Sequence, residues 1–156
     1  MSTSSSALAM WQKLSRWPGG AWLFSRLICL KAPYFGSIRP RFMELRPGYC
    51  RIRFAKRRAV LNHIGTVHAI AMCNLAELAG GTMTEVTIPS SHRWIPKGMT
   101  VEYLKKASTD VVGVAMPQRG DLGAEGADYP VLVEVHDLHG ELVFRATITM
   151  WVSPRK

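Results

Sequence analysis

Residues 62–77 read NHIGTVHAIAMCNLAE. Asn62, His63, Gly65 and Thr66 make a turn-like start, after which the chain is apolar with few interruptions. Two ionisable groups stand at the ends of the apolar run, His68 and Glu77. The pattern predicts a helix over 67–79, with Gly80-Gly81 in the C-cap position that favours glycine. A helix this apolar needs cover on every side. The segments that follow supply it: 84–88, 100–107, 111–116, 131–136 and 141–152 read as strands. The last two alternate around Asp137-Leu138-His139-Gly140, a hairpin signal. An antiparallel meander after a single apolar helix buries that helix best by curling around it. The expected fold is α+β, a curved antiparallel sheet wrapped around one central helix.

Upstream, 5–17 and 21–31 read as helices broken by Pro18-Gly19-Gly20. Leu8, Trp11, Leu14 and then Leu23, Leu27, Leu30 recur at helical intervals. Pro33 ends the second helix, and 38–45 and 49–58 read as strands joined at Pro47-Gly48. This divides the chain into a helical extension over 1–37 and a sheet-bearing domain over 38–156, one domain overall for 156 residues. The Ser/Thr leader is expected to fray, and the Gly- and acid-rich loop 118–128 to be exposed and mobile.

Apolar residues make up 47% and charged residues 20%, the balance of an ordinary globular protein. Cys29, Cys50 and Cys73 have no C-x-x-C spacing, so neither a disulfide framework nor a metal site is expected, and the reducing cytoplasm is the natural compartment. Cys50 lies among Arg51 and Arg53, where a lowered thiol pKa is conceivable. The N-terminus lacks a basic region followed by an unbroken apolar core, so no signal peptide is expected. The apolar run at 21–30 is too short to span a bilayer and contains Arg26. Net charge is +9 and uneven: residues 1–66 hold twelve Lys/Arg against Glu44 alone. That asymmetry fits a polyanionic partner such as nucleic acid, anionic lipid or a phosphate-bearing small molecule, or else a basic face with no partner at all.

A carboxylate on a helix buried all round is rare unless paired or functional, and desolvation would raise its pKa toward the range of a general base. Glu77 is that carboxylate, unless it reaches solvent at a rim. His68 immediately precedes Ala69-Ile70-Ala71, whose N–H groups are the free donors of a helix N-terminus and can stabilise a developing negative charge. Asn62 and Gly65 suit a tight loop whose amide side chain orients a water or a carbonyl. Nine residues of helix separate His68 from Glu77 by roughly 13–14 Å, too far for one reacting centre. If both are catalytic, the site is composite: His68 of one subunit faces Glu77 of another.

The pattern Asn62-x-x-Gly65-x-x-His68, with an acid nine residues on at Glu77, resembles the hotdog-fold acyl-CoA thioesterases of the phenylacetyl-CoA type. The N-terminal helices are more similar to an uncharacterised branch of that superfamily, one of its domains of unknown function. The resemblance implies a hotdog domain and a homodimer or dimer of dimers. It also implies thioester hydrolysis in which Glu77 activates water or acts as nucleophile. The Ala69 N–H, helped by His68, would hold the oxyanion, and Asn62 would position the water or thioester. No cofactor is implied, since coenzyme A is part of the substrate. Arg57, Arg58, Arg93 and Lys97 are candidate phosphate anchors, and Trp94 and Met72 candidate linings for the acyl group. The sequence departs from the family at Ala69-Ile70, where a glycine pair is usual, and at Gly81, where some relatives carry a Ser or Thr.

A rival is a non-catalytic hotdog protein that binds acyl-CoA or another apolar ligand. A nucleic-acid binder is disfavoured for want of an aromatic–basic stacking pattern or a recognition helix.

Overall fold

In the computed structural model, which describes residues 5–120 and 122–155, Ser5 starts the first helix by accepting the Leu8 N–H at 3.2 Å. The leader expected to fray falls at residues 1–4, outside the described residues. Helix α1 (Ser6–Leu14) and helix α2 (Gly20–Lys31) meet in a tight corner. A Cβ at Gly20 would lie 1.7 Å from the Leu14 carbonyl oxygen, so only glycine fits there. The Ser25 hydroxyl donates to the Ala21 carbonyl at 2.7 Å and accepts the Phe42 N–H at 2.9 Å, which pins α2 to the first strand. Phe24 sits edge-on to both Trp11 and Phe42, with ring centroids 5.1 and 5.0 Å apart. The extension therefore shares one hydrophobic core with the rest of the chain.

The strands are β1 (Arg41–Arg46), β2 (Tyr49–Phe54), β3 (His92–Tyr103), β4 (Val111–Pro117), β5 (Ala127–Asp137) and β6 (Leu142–Pro154). They form one antiparallel sheet in the order β1-β2-β4-β5-β6-β3. Val131, Val133 and Val135 of β5 and Ala146, Ile148 and Met150 of β6 point into the core at alternate positions. The β5–β6 turn is built as expected: Asp137 Oδ1 accepts the His139 and Glu141 N–H groups at 2.9 and 3.0 Å, and Gly140 takes φ +81°. A curved antiparallel sheet around one apolar helix is the hotdog arrangement.

The central helix α3 (Ala69–Thr87) corrects two expectations. It does not stop at Gly80-Gly81, and the 84–88 segment is not a strand but the helix's last turn. The two glycines serve close packing. A Cβ at Gly80 would come within 2.9 Å of Ile148, and one at Gly81 within 2.8 Å of the Trp94 ring. Thr82, Thr84 and Thr87 return their hydroxyls to the carbonyls of Leu78, Gly80 and Met83, which lets these β-branched residues sit in the helix. The helix is also not covered all round: Ile70 and Glu77 are exposed and Cys73 half-buried along one stripe. β3 begins at His92 rather than at residue 100, with a bulge between Pro96 and Gly98 that absorbs the proline. Cys50 is fully buried and burial pushes its thiol pKa up, the reverse of an activated thiol.

Candidate active site along helix α3

The loop that enters α3 is held by one side chain and by two backbone bonds, from the Asn62 N–H to the Thr66 carbonyl at 2.9 Å and from the Gly65 N–H to the Asn62 carbonyl at 3.1 Å. Asn62 Oδ1 accepts the N–H groups of Ile64 and Thr66, both at 3.1 Å, and its Nδ2 donates to Thr66 Oγ1 at 2.8 Å. Gly65 completes the turn at φ +77°, a conformation other residues adopt only with strain. The His68 N–H then donates to the Val60 carbonyl at 2.8 Å, and the Val67 N–H to that of Ala107 at 2.8 Å.

His68 is the N-cap of α3, and its Nδ1 accepts the Ile70 N–H at 3.1 Å. This leaves the neutral ring's proton on Nε2, which is free to donate outward. The Ala71 N–H donates to the His68 carbonyl at 3.0 Å. Of the three donors expected to be free, Ile70 and Ala71 are thus engaged. The Ala69 N–H alone has no partner among the described residues. Ala69 lines a hollow of about 360 Å³ together with Asn62, Met72, Tyr103 and Lys106. The Tyr103 hydroxyl meets Cys73 Sγ at 3.5 Å, and that contact raises its pKa.

His68 lines a separate, smaller hollow of about 160 Å³ with Ser37, Ile70 and Asn74. Two turns further along α3 lies a third cavity, of about 430 Å³, and Glu77 is on its wall. Ala7, Ile28 and Phe35 of the N-terminal segment face Leu78 and Gly81 of α3 across this cavity, and Trp94 and Pro96 of β3 close it. Trp94 lies on Gly81, and its indole N–H donates to Glu85 Oε2 at 2.8 Å. Glu77 itself is exposed and has no hydrogen-bond or ion-pair partner among the described residues. Of the two alternatives for Glu77, a buried carboxylate or one that reaches solvent at a rim, the single chain shows the second. Glu77 stands at the rim of an apolar chamber.

The anchors proposed for coenzyme A do not form one patch. Arg57 donates through Nη2 to the Ser37 carbonyl at the His68 end, and burial together with the nearby Arg39 charge lowers its pKa. Arg58 beside it is exposed. Arg93 is exposed on β3, and Lys97 is paired with Asp128 at 2.8 Å and lies over the Trp151 ring. No group of three or more His, Cys, Asp and Glu able to hold a metal stands together among the described residues. Nor is any described helix long and apolar enough to cross a membrane.

Reading the sequence for ionisable groups missed Asn74, Ser37, Tyr103, Lys106 and Glu85. Asn74 carried a visible signal: an amide in the middle of an apolar helix, one turn before Glu77. Ser37 and Tyr103 carried none, because only the fold brings them to α3.

A crystal structure from structural genomics superimposes on this chain with a TM-score of 0.82 at 51% identity, covering 96% of this chain and 98% of that one. A protein of unknown function from Pseudomonas aeruginosa, a probable thioesterase, does so with a TM-score of 0.74 at 25% identity, covering 89% and 97%. A thioesterase from Haemophilus influenzae shares the fold at 12% identity, with a TM-score of 0.69 and coverage of 78% and 82%. No curated protein matches the sequence. Residues 20–152 match the model of a domain of unknown function, DUF4442, and the chain belongs to that family.

Proposed function

We propose that the protein hydrolyses the thioester of an acyl-CoA or acyl-carrier substrate. The observation that carries this reading is Glu77, an unpartnered carboxylate at the rim of an apolar cavity, on a helix that is otherwise mostly buried. In the mechanism, Glu77 takes a proton from water as the water oxygen attacks the thioester carbonyl carbon. The oxyanion is held by the Ala69 N–H with help from His68 Nε2–H. Collapse breaks the C–S bond, and the proton passes from Glu77 to the departing thiolate. In the variant mechanism Glu77 attacks directly and water hydrolyses the anhydride. Asn62 serves by holding the loop that presents Ala69.

Glu77 and Ala69 of one chain lie too far apart along α3 to share a substrate, so each site needs two chains. The edge of the sheet supports a second copy. Among the described residues β3 pairs with β6 alone, and Ile95 and Tyr103 on it are 60% and 53% exposed. Pro96, Lys97 and the bulge interrupt pairing in the middle of that edge, and the segment from Gly98 to Tyr103 keeps unpaired backbone groups that a second strand could take up. Two-fold pairing there gives a homodimer with two equivalent sites, the unit from which a dimer of dimers could be built. The three free cysteines support a reducing, cytoplasmic setting.

A panel of acyl-CoA substrates with free-thiol detection tests the reading, and Glu77→Ala is expected to abolish release. Mixing inactive His68→Ala and Glu77→Ala chains is expected to restore part of the activity. No rescue despite verified exchange of subunits would remove the composite site. One observation favours a binding protein without turnover: the Trp94 ring covers Gly81, where some relatives carry a hydroxyl. Tight acyl-CoA binding with no thiol release across the panel would establish that reading instead.

A further inference from the structure

We propose that the outward face of α2, with the basic pocket beside it, docks the protein on the surface of an anionic phospholipid bilayer. The inference does not depend on thioester hydrolysis. Its starting point is a helix that is apolar on two sides. A surface helix ordinarily turns one apolar stripe to the core and polar residues to water. In α2 the inward side is taken by Phe24 and Ser25, both buried. The Leu23, Leu27, Leu30 repeat that marks the helix in the sequence faces outward, with Leu30 78% exposed. Residues four apart stand one above the other on a helix, so the exposed face consists of two neighbouring rows, Trp22-Arg26-Leu30 and Leu23-Leu27-Lys31. Each row combines apolar side chains with one cation. Trp17 in the corner before α2 and Tyr34 shortly after it are exposed as well. This composition suits a helix that lies in the plane of a membrane surface without crossing it. Leucines enter the acyl boundary, Arg and Lys reach headgroups on long stems, and aromatic rings sit at headgroup level.

The charge around the face selects an anionic surface. The first acidic residue of the chain is Glu44, and Lys13, Arg16, Arg26, Lys31, Arg39 and Arg41 all precede it. Trp22 and Arg26 also line a pocket of about 270 Å³ between α2 and the first two strands, together with Arg39, Arg41 and Arg53. Arg41 and Arg53 are direct partners across the β1–β2 ladder, an unfavourable placement for like charges. Asp110 answers Arg53 at 3.0 Å, whereas Arg26, Arg39 and Arg41 have no carboxylate partner among the described residues. Arg39 holds left-handed backbone at φ +50°, which is uncommon outside glycine. The Arg26 guanidinium lies 5.6 Å from the centre of the Trp22 ring, which ties the pocket to the apolar rows. An anion in the pocket relieves the repulsion. A lipid phosphate is the anion that arrives with hydrocarbon for the adjacent leucines.

Other occupants fit worse. A second copy related by a two-fold axis would set these cations against themselves. A nucleic acid would meet the arginines and leave Leu23, Leu27 and Leu30 in water. The Ser25–Phe42 bond pins α2 to β1, at the opposite end of the strand order from the β3 edge assigned to the homodimer. Ile28, Lys31 and Ala32 of α2 are also part of the wall of the Glu77 chamber, so a docked protein holds that chamber beside the lipid.

The test is sedimentation of the full chain with vesicles, either of pure phosphatidylcholine or of equal parts phosphatidylcholine and phosphatidylglycerol. Wild type is expected to bind the mixed vesicles about tenfold more tightly than the neutral ones, and to lose most of that preference as salt rises. The double variant Leu23→Ser, Leu30→Ser should weaken binding to mixed vesicles about tenfold, and Arg26→Gln, Arg41→Gln by a similar factor. Melting temperatures should stay near that of wild type, because these four side chains are exposed. If the leucine pair does not fold, Leu30→Ser serves alone, with an expected loss of about fivefold. Wild type that stays in the supernatant with mixed vesicles at low salt overturns the proposal. Binding that the arginine pair weakens and the leucine variants leave intact overturns it too, as adsorption of a basic protein by charge alone. So does a leucine-dependent oligomer larger than a dimer without vesicle binding, which gives the face to a second copy. Thermal stabilisation by inorganic phosphate without vesicle binding overturns it as well, and gives the pocket to a soluble anion.

Discussion

At the N-terminal end of α3, hydrogen bonds around Asn62 fix the loop, and Ala69, whose N–H has no partner among the described residues, lines a hollow. Two turns beyond His68 the helix faces an apolar chamber with two carboxylates on its wall, Glu85 bonded to Trp94 and Glu77 without a hydrogen-bond or ion-pair partner among the described residues. An oxyanion donor works only if it is already in place when charge develops, and the fixed loop suits the first region to that part of the proposed mechanism. A base must meet a water and a substrate, and the open second region suits Glu77 to that part. The contrast is sharpest for Glu77→Gln, which keeps the shape and removes the base. A loss of about 10²–10⁴-fold in kcat is expected, the usual contribution of general-base catalysis. Melting temperature should not move, since Glu77 makes no contact that folding relies on. A matching loss of stability would assign Glu77 to packing and dissolve the contrast.

The rigid end was the more legible of the two in sequence. Asn62, Gly65 and His68 act through local hydrogen bonds and a positive φ, and these are properties of residue type at short spacing. The core helix and the β5–β6 hairpin were legible for the same reason. The open end was not. Gly80-Gly81 read as a helix stop because the sheet residues that press on them, Ile148 and Trp94, are distant in sequence. For Glu77 the sequence left both burial and a solvent-facing rim open, because the stripe of α3 that stays uncovered is set by how the extension and the sheet pack. Asn74, on the wall of the His68 hollow, could have been found by asking for amides as well as ionisable groups.

Asn62→Ala breaks the rigid end in turn. It removes three hydrogen bonds from the loop and leaves the Ile64 and Thr66 N–H groups to find water. Here kcat and stability should fall together: about 10²-fold in rate as Ala69 loses its position, and about 1–3 kcal/mol in urea unfolding. Kinetic loss without any change in unfolding would mean that Asn62 touches the substrate directly rather than shaping the loop.

At the open end, the Gly81–Trp94 contact is the point to perturb. A Cβ at Gly81 would lie 2.8 Å from the indole, so Gly81→Ala must tilt Trp94 and strain its bond to Glu85. Overpacking of this kind costs about 1–3 kcal/mol. Trp94→Ala does the opposite and opens the chamber. The pair should shift acyl preference in opposite directions, Trp94→Ala toward longer chains and Gly81→Ala toward shorter ones, each by about tenfold in relative kcat/KM. An unchanged chain-length profile in both would show that the acyl group lies elsewhere, such as the seam between subunits.

The smallest effects are expected among the cations, and they still distinguish the two ends. Lys97 already faces Asp128 across an exposed ion pair, so Lys97→Gln should change KM for acyl-CoA by less than about threefold. Arg57 is half-buried, lies beside Arg39 and has no carboxylate partner among the described residues. A phosphate arriving there meets uncompensated positive charge, and Arg57→Gln should raise KM for acyl-CoA by about tenfold while leaving the N-acetylcysteamine ester, which has no phosphate, unaffected. The Arg57 effect should shrink as salt rises, because screening weakens the attraction that the variant lacks. If Lys97→Gln proves the more damaging and the more salt-sensitive, the carrier enters from the Glu77 end, and the rigid and open halves of α3 exchange their assigned parts of the substrate.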